Sequence, residues 1–474
     1  LSSAAVLSGC FLDDSDDDGE APINYPSTYA FDSKVVDGEF SVKFTGQAAR
    51  QLLIGELKNA TGDTAISQAD LESIYSAGTS VLDDADIYGD TGRLDTPVYV
   101  TEPANYTLAQ SGYREVYGFD GDTTTSAGSK KLSNKTAGCD NDLSATQFIG
   151  WELDAADLIA CDGTSTPTVH DTAYSLINEW IAAAANGKVD TALGLDYSQL
   201  FQKFMLGAVT YSQAAEDYIK ATKGLLKQNV EADNQAEVSN GEESSLDKYT
   251  SLEHQWDEGF GYFGASVDYL NIDDATINGK TYHSDVNGDT VIDLLKGEYN
   301  YGLAVYASKH DVLTGTTDLS GEIMTAFLEG RQLIVDNHGT NPEAGNTFHT
   351  RLAGIADRAV KGMEKVIAIS VIKYINLTIA DLAGYTHDVD DGTDIAKHWS
   401  ELKGFALGLQ FNPNPVLDFD KQIVLHNLIG KSPVTEIDTT HSGLKADYIL
   451  ALEEARNMVV TAYGFDATAA ENWK

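Results

Sequence analysis

The chain has 474 residues, with 31 Lys and Arg against 73 Asp and Glu and a formal charge of −42 at neutral pH. Affinity for nucleic acid rests on Lys and Arg neutralising phosphates, so this balance excludes nucleic-acid binding as a main function. It suits a soluble, self-repelling surface in a salt-adapted source, and its length exceeds what one hydrophobic core commonly serves, so two packed units are expected.

The first informative stretch is Leu7-Ser8-Gly9-Cys10, which has the form of a bacterial lipoprotein processing site. On this reading residues 1–9 are a signal-peptide remnant, Cys10 carries the lipid, and residues 10–24 form an acidic tether, since the tract Asp13-Asp14-Ser15-Asp16-Asp17-Asp18 has no core to bury. The expected location is the bacterial cell envelope, lipid-anchored to the membrane. Phe11 in place of an Asp after the lipidated cysteine points to the outer membrane. Acylation of Cys10 leaves two thiols, Cys139 and Cys161, which an oxidising compartment tends to join; reduced buried thiols are the alternative.

Residues Tyr25 to Phe44 alternate apolar and turn residues as a short β-element does. Gln47 to Asn59 and Ile66 to Ala77 have helical spacing, and residues 88–168 read as a loop-rich insertion. From Thr172 onward the pattern is helical. Asp196 can cap a helix whose stripe is Phe201, Phe204, Met205, Ala208, Ser212 and Ala215, and an acidic link from Glu231 to Ser245 leads to a helix over Leu246 to Ala265. Further helices are expected at Gly302–Val312, Leu319–Asn337, Arg351–Leu382, Ile395–Leu409, Asp418–Leu428 and Leu444–Tyr463. Val366 to Gly384 nears the length of a membrane span, yet Lys373, Asn376 and Asp381 interrupt it, which makes it the buried central helix of a bundle. The fold class expected is mainly α: two packed helical bundles, the first about residues 45–265 and the second about residues 300–474, with a short N-terminal β-element.

Tyr25-Pro26-Ser27-Thr28-Tyr29-Ala30-Phe31, Phe44-Thr45-Gly46-Gln47-Ala48-Ala49-Arg50, Gly207-Ala208-Val209 with Tyr211, and His254-Gln255-Trp256-Asp257-Glu258-Gly259-Phe260-Gly261-Tyr262-Phe263 resemble the DUF4856 family over residues 25–474. That family consists of envelope lipoproteins of Gram-negative bacteria without an assigned biochemical function. More distantly, the helical build and the His-centred motif are similar to the imelysin group, two-bundle periplasmic proteins with a His-x-x-Glu motif and a link to iron uptake. This resemblance implies iron or another transition metal as cofactor and an outer-membrane uptake receptor as partner. Here Asp257 stands in the Glu position, and Leu252 stands two residues before the His where that group has glycine.

On a helix, His254 and Glu258 share a face with Asp257 beside them, while Glu253 points elsewhere. The set forms either part of a metal site or a structural pair beside Trp256. A metal needs further ligands from another helix, with Glu401, His398 and Glu216 as candidates. The pattern Trp-x-Glu-x-x-Gly-aromatic occurs at Trp256 and again at Trp399, as a duplicated helical unit would give.

Asp285, Asn287, Asp289 and Asp293 have the oxygen spacing of a calcium loop. Thr290 stands in the usual glycine place and Glu298 falls two residues beyond the usual last ligand, so an Asx-rich turn is the other reading. Three functions are compatible with these residues. The first is a lipid-anchored binding protein for a metal or metal complex, the second a metal-dependent hydrolase, and the third a structural surface lipoprotein.

Overall fold

The computed structural model describes residues 22–62, 66–76, 105–108, 130–141, 143, 147–238, 245–386, 392–435 and 443–474. The signal remnant, Cys10, the tether up to residue 21 and most of the insertion 88–168 lie outside the described residues.

The protein is mainly helical. Helix α1 spans Thr45–Ala60, α2 Gln68–Ser76, α3 Thr172–Ala184 and α4 Tyr197–Met205; α5 spans Ser251–Phe263, α6 Asp274–Asn278, α7 Gly302–Thr314 and α8 Leu319–Asp336. Then come α9 over Thr347–Gly384, α10 over Thr393–Gly408, α11 over Phe419–Ile429 and α12 over Leu444–Tyr463. The strands among the described residues are two residues long. Thr107–Leu108 pairs in parallel with Val291–Ile292, and Val189–Asp190 pairs antiparallel with Leu195–Asp196.

The 38-residue α9 organises the molecule, packing on α7, α8, α10 and α12. It is long and apolar enough to cross a membrane by length and composition, but 67% of its apolar stretch is buried in the protein. Two of its interrupting polar residues, Asn376 and Asp381, are satisfied within the fold. Asn376 donates to Ala470 O and Trp473 O, both at 2.8 Å, and Asp381 Oδ2 lies 2.6 Å from His398 Nδ1. Buried apolar side chains form one continuous cluster from Tyr29 to Trp473, and within it α4 packs on α10 and α5 on α8.

Asp196 caps α4 by accepting from Gln199 N at 3.2 Å. Beyond Met205 the chain continues in two π-helical turns, Leu206–Tyr211 and Ala214–Tyr218, where the apolar stripe predicted an ordinary α-helix. Residues 203–219 are buried on every side, and a single stripe cannot specify the winding of a segment with no solvent face. Gly207 lies against Gly408 of α10; a Cβ there would stand 2.4 Å from Gly408 Cα.

The N-terminal segment forms a strap rather than a sheet, with a lone antiparallel bridge between Asp32 and Phe40. Tyr29 fastens it, stacking on Phe260 of α5 at 3.8 Å. Cys139 and Cys161 are joined in a disulfide with Cα atoms 5.5 Å apart, and Ala137 N donates to Ala208 O at 2.7 Å, tying the loop region to the π-helical turns.

Candidate functional site

Helix α5 starts with a capping box: Thr250 accepts from Glu253 N at 3.2 Å, and Glu253 Oε2 accepts from Thr250 N at 2.8 Å. Two of its three acidic residues, Glu253 and Asp257, lie one turn apart and meet the fully buried Arg331 of α8, at 2.7 Å from Nη1 and 2.8 Å from Nε. Asp257 also accepts from Tyr29 OH at 2.8 Å and Lys43 N at 3.1 Å, and Arg331 Nη2 donates to Ser41 Oγ at 2.7 Å. Burial opposes the charge on Arg331, but the carboxylates of Asp257 and Glu253 outweigh it and push its pKa up. Asp257, expected beside His254, is therefore turned to the interior, and so is Glu253, expected to point elsewhere. The reason is Arg331, which a reading of α5 alone does not contain.

His254 is on the outer side of the helix with 24% of its side chain exposed. Its Nδ1 lies 3.1 Å from Asp233 Oδ2, its Nε2 3.9 Å from Glu258 Oε1, and its ring 4.6 Å from that of Tyr249. Burial lowers its pKa, yet Glu258 and Asp233 outweigh that and raise it above the ordinary value. Glu258 in turn accepts from Gln47 Nε2 of α1 at 2.6 Å. Glu401 is not brought to His254; it pairs with Lys203 of α4 at 3.3 Å. Among the described residues no three His, Cys, Asp or Glu side chains stand together as a metal-holding group.

The two Trp-centred motifs occupy corresponding settings. Trp256 Nε1 donates to Phe327 O at 2.9 Å and Trp399 Nε1 to Tyr448 OH at 2.8 Å. A Cβ on Gly261 or on Gly404 would stand 2.7 Å from Gln47 or Lys203, the residues that Glu258 and Glu401 contact. His398 is bound to Asp381 through Nδ1, as His254 is to Asp233. Each motif thus closes one helix onto another.

The acidic loop curls around Asp285. Its Oδ1 accepts from Gly288 N at 2.8 Å and Asp289 N at 3.1 Å, and its Oδ2 from Thr290 N at 3.0 Å. Thr290 takes the left-handed backbone, φ 67°, that glycine supplies at this place in a calcium loop. Glu298 folds back across the loop and accepts from Val286 N at 3.2 Å and Asp293 N at 2.8 Å. Asn287 Nδ2 donates to Asp289 Oδ2 at 3.1 Å, while Asp293 Oδ1 accepts from Leu295 N at 3.0 Å and its Oδ2 pairs with Lys296 at 2.9 Å.

A cleft of about 980 Å³ lies between the N-terminal strap, residues 245–249 and the end of the acidic loop. One wall is the strap, with Ala30, Phe40 and Lys43; the other holds Tyr249, whose ring is tilted against that of His254, and Leu295 and Lys296 at the end of the acidic loop. Lys43 Nζ stands 5.5 Å from the Tyr249 ring, Lys248 pairs with Glu39 at 2.9 Å, and Phe40 is 67% exposed. The residues that sequence reasoning missed are Arg331, Asp233 and Tyr249. Arg331 alone carried a signal, a charge set in the apolar run of α8.

The family profile described as Domain of unknown function (DUF4856) matches residues 113–446. The match takes in α5, Arg331, the acidic loop and both Trp motifs, and leaves the strap outside it. No curated protein and no solved structure matches the chain. With more than half of its length matched, the chain belongs to the DUF4856 family.

Proposed function

We propose that this is an envelope binding protein, tethered by a lipid on Cys10, whose ligand seat is the cleft between the strap and the acidic loop. The observation that carries the reading is the cleft itself, because the strap, residues 245–249 that lead into the His254 helix, and Leu295 and Lys296 at the end of the acidic loop, far apart in sequence, border the same open space of about 980 Å³. Such a volume suits a small ligand, and its lining of aromatic rings with a few charged groups is the usual composition of a binding site.

Calcium belongs to this reading as the ion that orders the rim. The left-handed Thr290 and the reach of Glu298 across the loop support it, and binding requires Asp285, Asn287 and Asp289 to exchange backbone N–H partners for the cation. Iron or another transition metal on α5 would find His254 Nε2 and Glu258, two ligands where such sites take three or four, so ligand capture is assigned to the cleft. An uptake receptor in the outer membrane is the partner that an anchored capture protein would serve.

The anchor is tested by Cys10→Ala and membrane fractionation. The reading expects the variant to leave the membrane fraction; unchanged fractionation would overturn it. The seat is tested by Ala30→Trp, which plugs the cleft from an exposed strap position.

A further inference from the structure

Away from the cleft, helices bring lysines together in a chain whose formal charge is −42. Lys203 of α4 and Glu401 of α10 neighbour Lys58 in the last turn of α1 and Lys373 of α9, and Lys309 of α7 neighbours Lys203 and Lys373. Lys203 is fully engaged. Its Nζ lies 3.3 Å from Glu401 Oε1 and 2.6 Å from Gln202 Oε1, which leaves Glu401 already neutralised.

The remaining three amines have no acid in direct contact among the described residues, and Glu401 attracts Lys58 and Lys373 only from a distance. Lys309 Nζ donates to the neutral Tyr282 hydroxyl at 2.9 Å, and Lys58 and Lys373 have no hydrogen bond or ion pair among the described residues. An aromatic shelf holds Lys309 and Lys373 in place. Lys309 Nζ stands 6.0 Å from the Tyr306 ring and Lys373 Nζ 5.6 Å from the Tyr374 ring, and Phe405 joins the two, edge-on to Tyr306 at 5.1 Å and stacked on Tyr374 at 5.8 Å. Lys58, Tyr306, Lys309 and Lys373 are half-buried, so the group opens to solvent.

Unpaired ammonium groups that lose water and repel one another are costly in a fold with 73 acidic side chains to choose from. The strain is visible in their proton affinities. Burial, then the charge of Lys203, pulls Lys58 down to about 7, and burial lowers Lys309 and Lys373, with neighbouring amines adding to it. A bound anion would remove the conflict. Large polyanions are repelled by the surface as a whole, whereas a small ion is screened from it within about 8–10 Å.

We propose that Lys309 and Lys373, across the Tyr306–Phe405–Tyr374 shelf, form a binding site for a small multivalent oxyanion, of which phosphate is the simplest. It is separate from the cleft and does not depend on the function proposed for it.

The test is thermal unfolding of the whole protein in phosphate against chloride at equal ionic strength, with isothermal titration of phosphate alongside. Wild type is expected to show a phosphate-specific rise in Tm. Lys309→Gln with Lys373→Gln should lose that rise and, because repulsion is relieved, melt no lower than wild type in chloride. Lys373→Gln alone should bind phosphate roughly tenfold more weakly, the loss of one charge-assisted contact. Absence of a phosphate-specific shift and of titratable binding in wild type, or an unchanged affinity in Lys373→Gln, overturns the proposal. Should the double variant fail to fold, the titration of Lys373→Gln decides.

Discussion

Replacing Arg331 with Met keeps the length of the side chain and removes its charge, so its effect isolates the electrostatic role of this residue. Arg331 is fully buried and joins Glu253 at 2.7 Å, Asp257 at 2.8 Å and Ser41 Oγ at 2.7 Å, with its guanidinium 5.0 Å from the Phe31 ring. Removing it strands two carboxylates that are themselves buried. Breaking a buried pair in this way costs about 3–5 kcal/mol, a large share of the ~5–15 kcal/mol that holds a domain together. The assay is urea unfolding at pH 7, with slopes compared to confirm that the same transition is being measured. Lowering the pH should shrink the deficit, because stranded carboxylates take up protons more readily than those of the unfolded chain, and stability is regained as they do. Adding Glu253→Gln and Asp257→Asn to Arg331→Met should recover much of the loss by removing the unpaired charges. A cost under about 1 kcal/mol at pH 7, or a deficit that does not change with pH, would refute the reasoning.

His254→Gln should cost less than about 1 kcal/mol, since the imidazole is partly exposed and its carboxylate partners are screened. A histidine with a raised folded pKa contributes stability that is fully present below its ordinary value of 6.5 and is lost as the pH rises through the folded value. The variant should therefore flatten the pH dependence of Tm just above pH 6.5, and an unchanged profile would contradict the pairing with Asp233 and Glu258. If calcium binds the acidic loop, a chelator should lower the Tm of wild type, and Asp285→Ala with Asp289→Ala should abolish that response; equal responses would dismiss calcium.

Much of the helical fold is legible in the sequence because helix ends and stripes are local. Leu444–Tyr463 was expected and is found with those bounds, and Asp196 caps α4 as its position suggests. Legibility fails where the determining partner is distant. Asp257 is indistinguishable from a ligand until Arg331, 74 positions away, is known to lie against it. His254 likewise gains Asp233 from the preceding link rather than from its own helix. The π-helical turns escape notice because residues 203–219 have no solvent face to mark a period. The acidic loop sits between these cases: its spacing is local, while Glu298 reaches it only because the chain folds back. The cleft is the least legible feature, for its walls come from the strap, from residues 245–249 and from the end of the acidic loop.

The central claim is that the cleft holds a small ligand. It is tested most directly by native mass spectrometry of the full protein released from its own membranes, wild type beside Ala30→Trp, with circular dichroism confirming equal helix content. The account predicts a non-covalent adduct of small-molecule mass on wild type that is lost from Ala30→Trp. A wild type without an adduct, or the same adduct on both proteins, would contradict it.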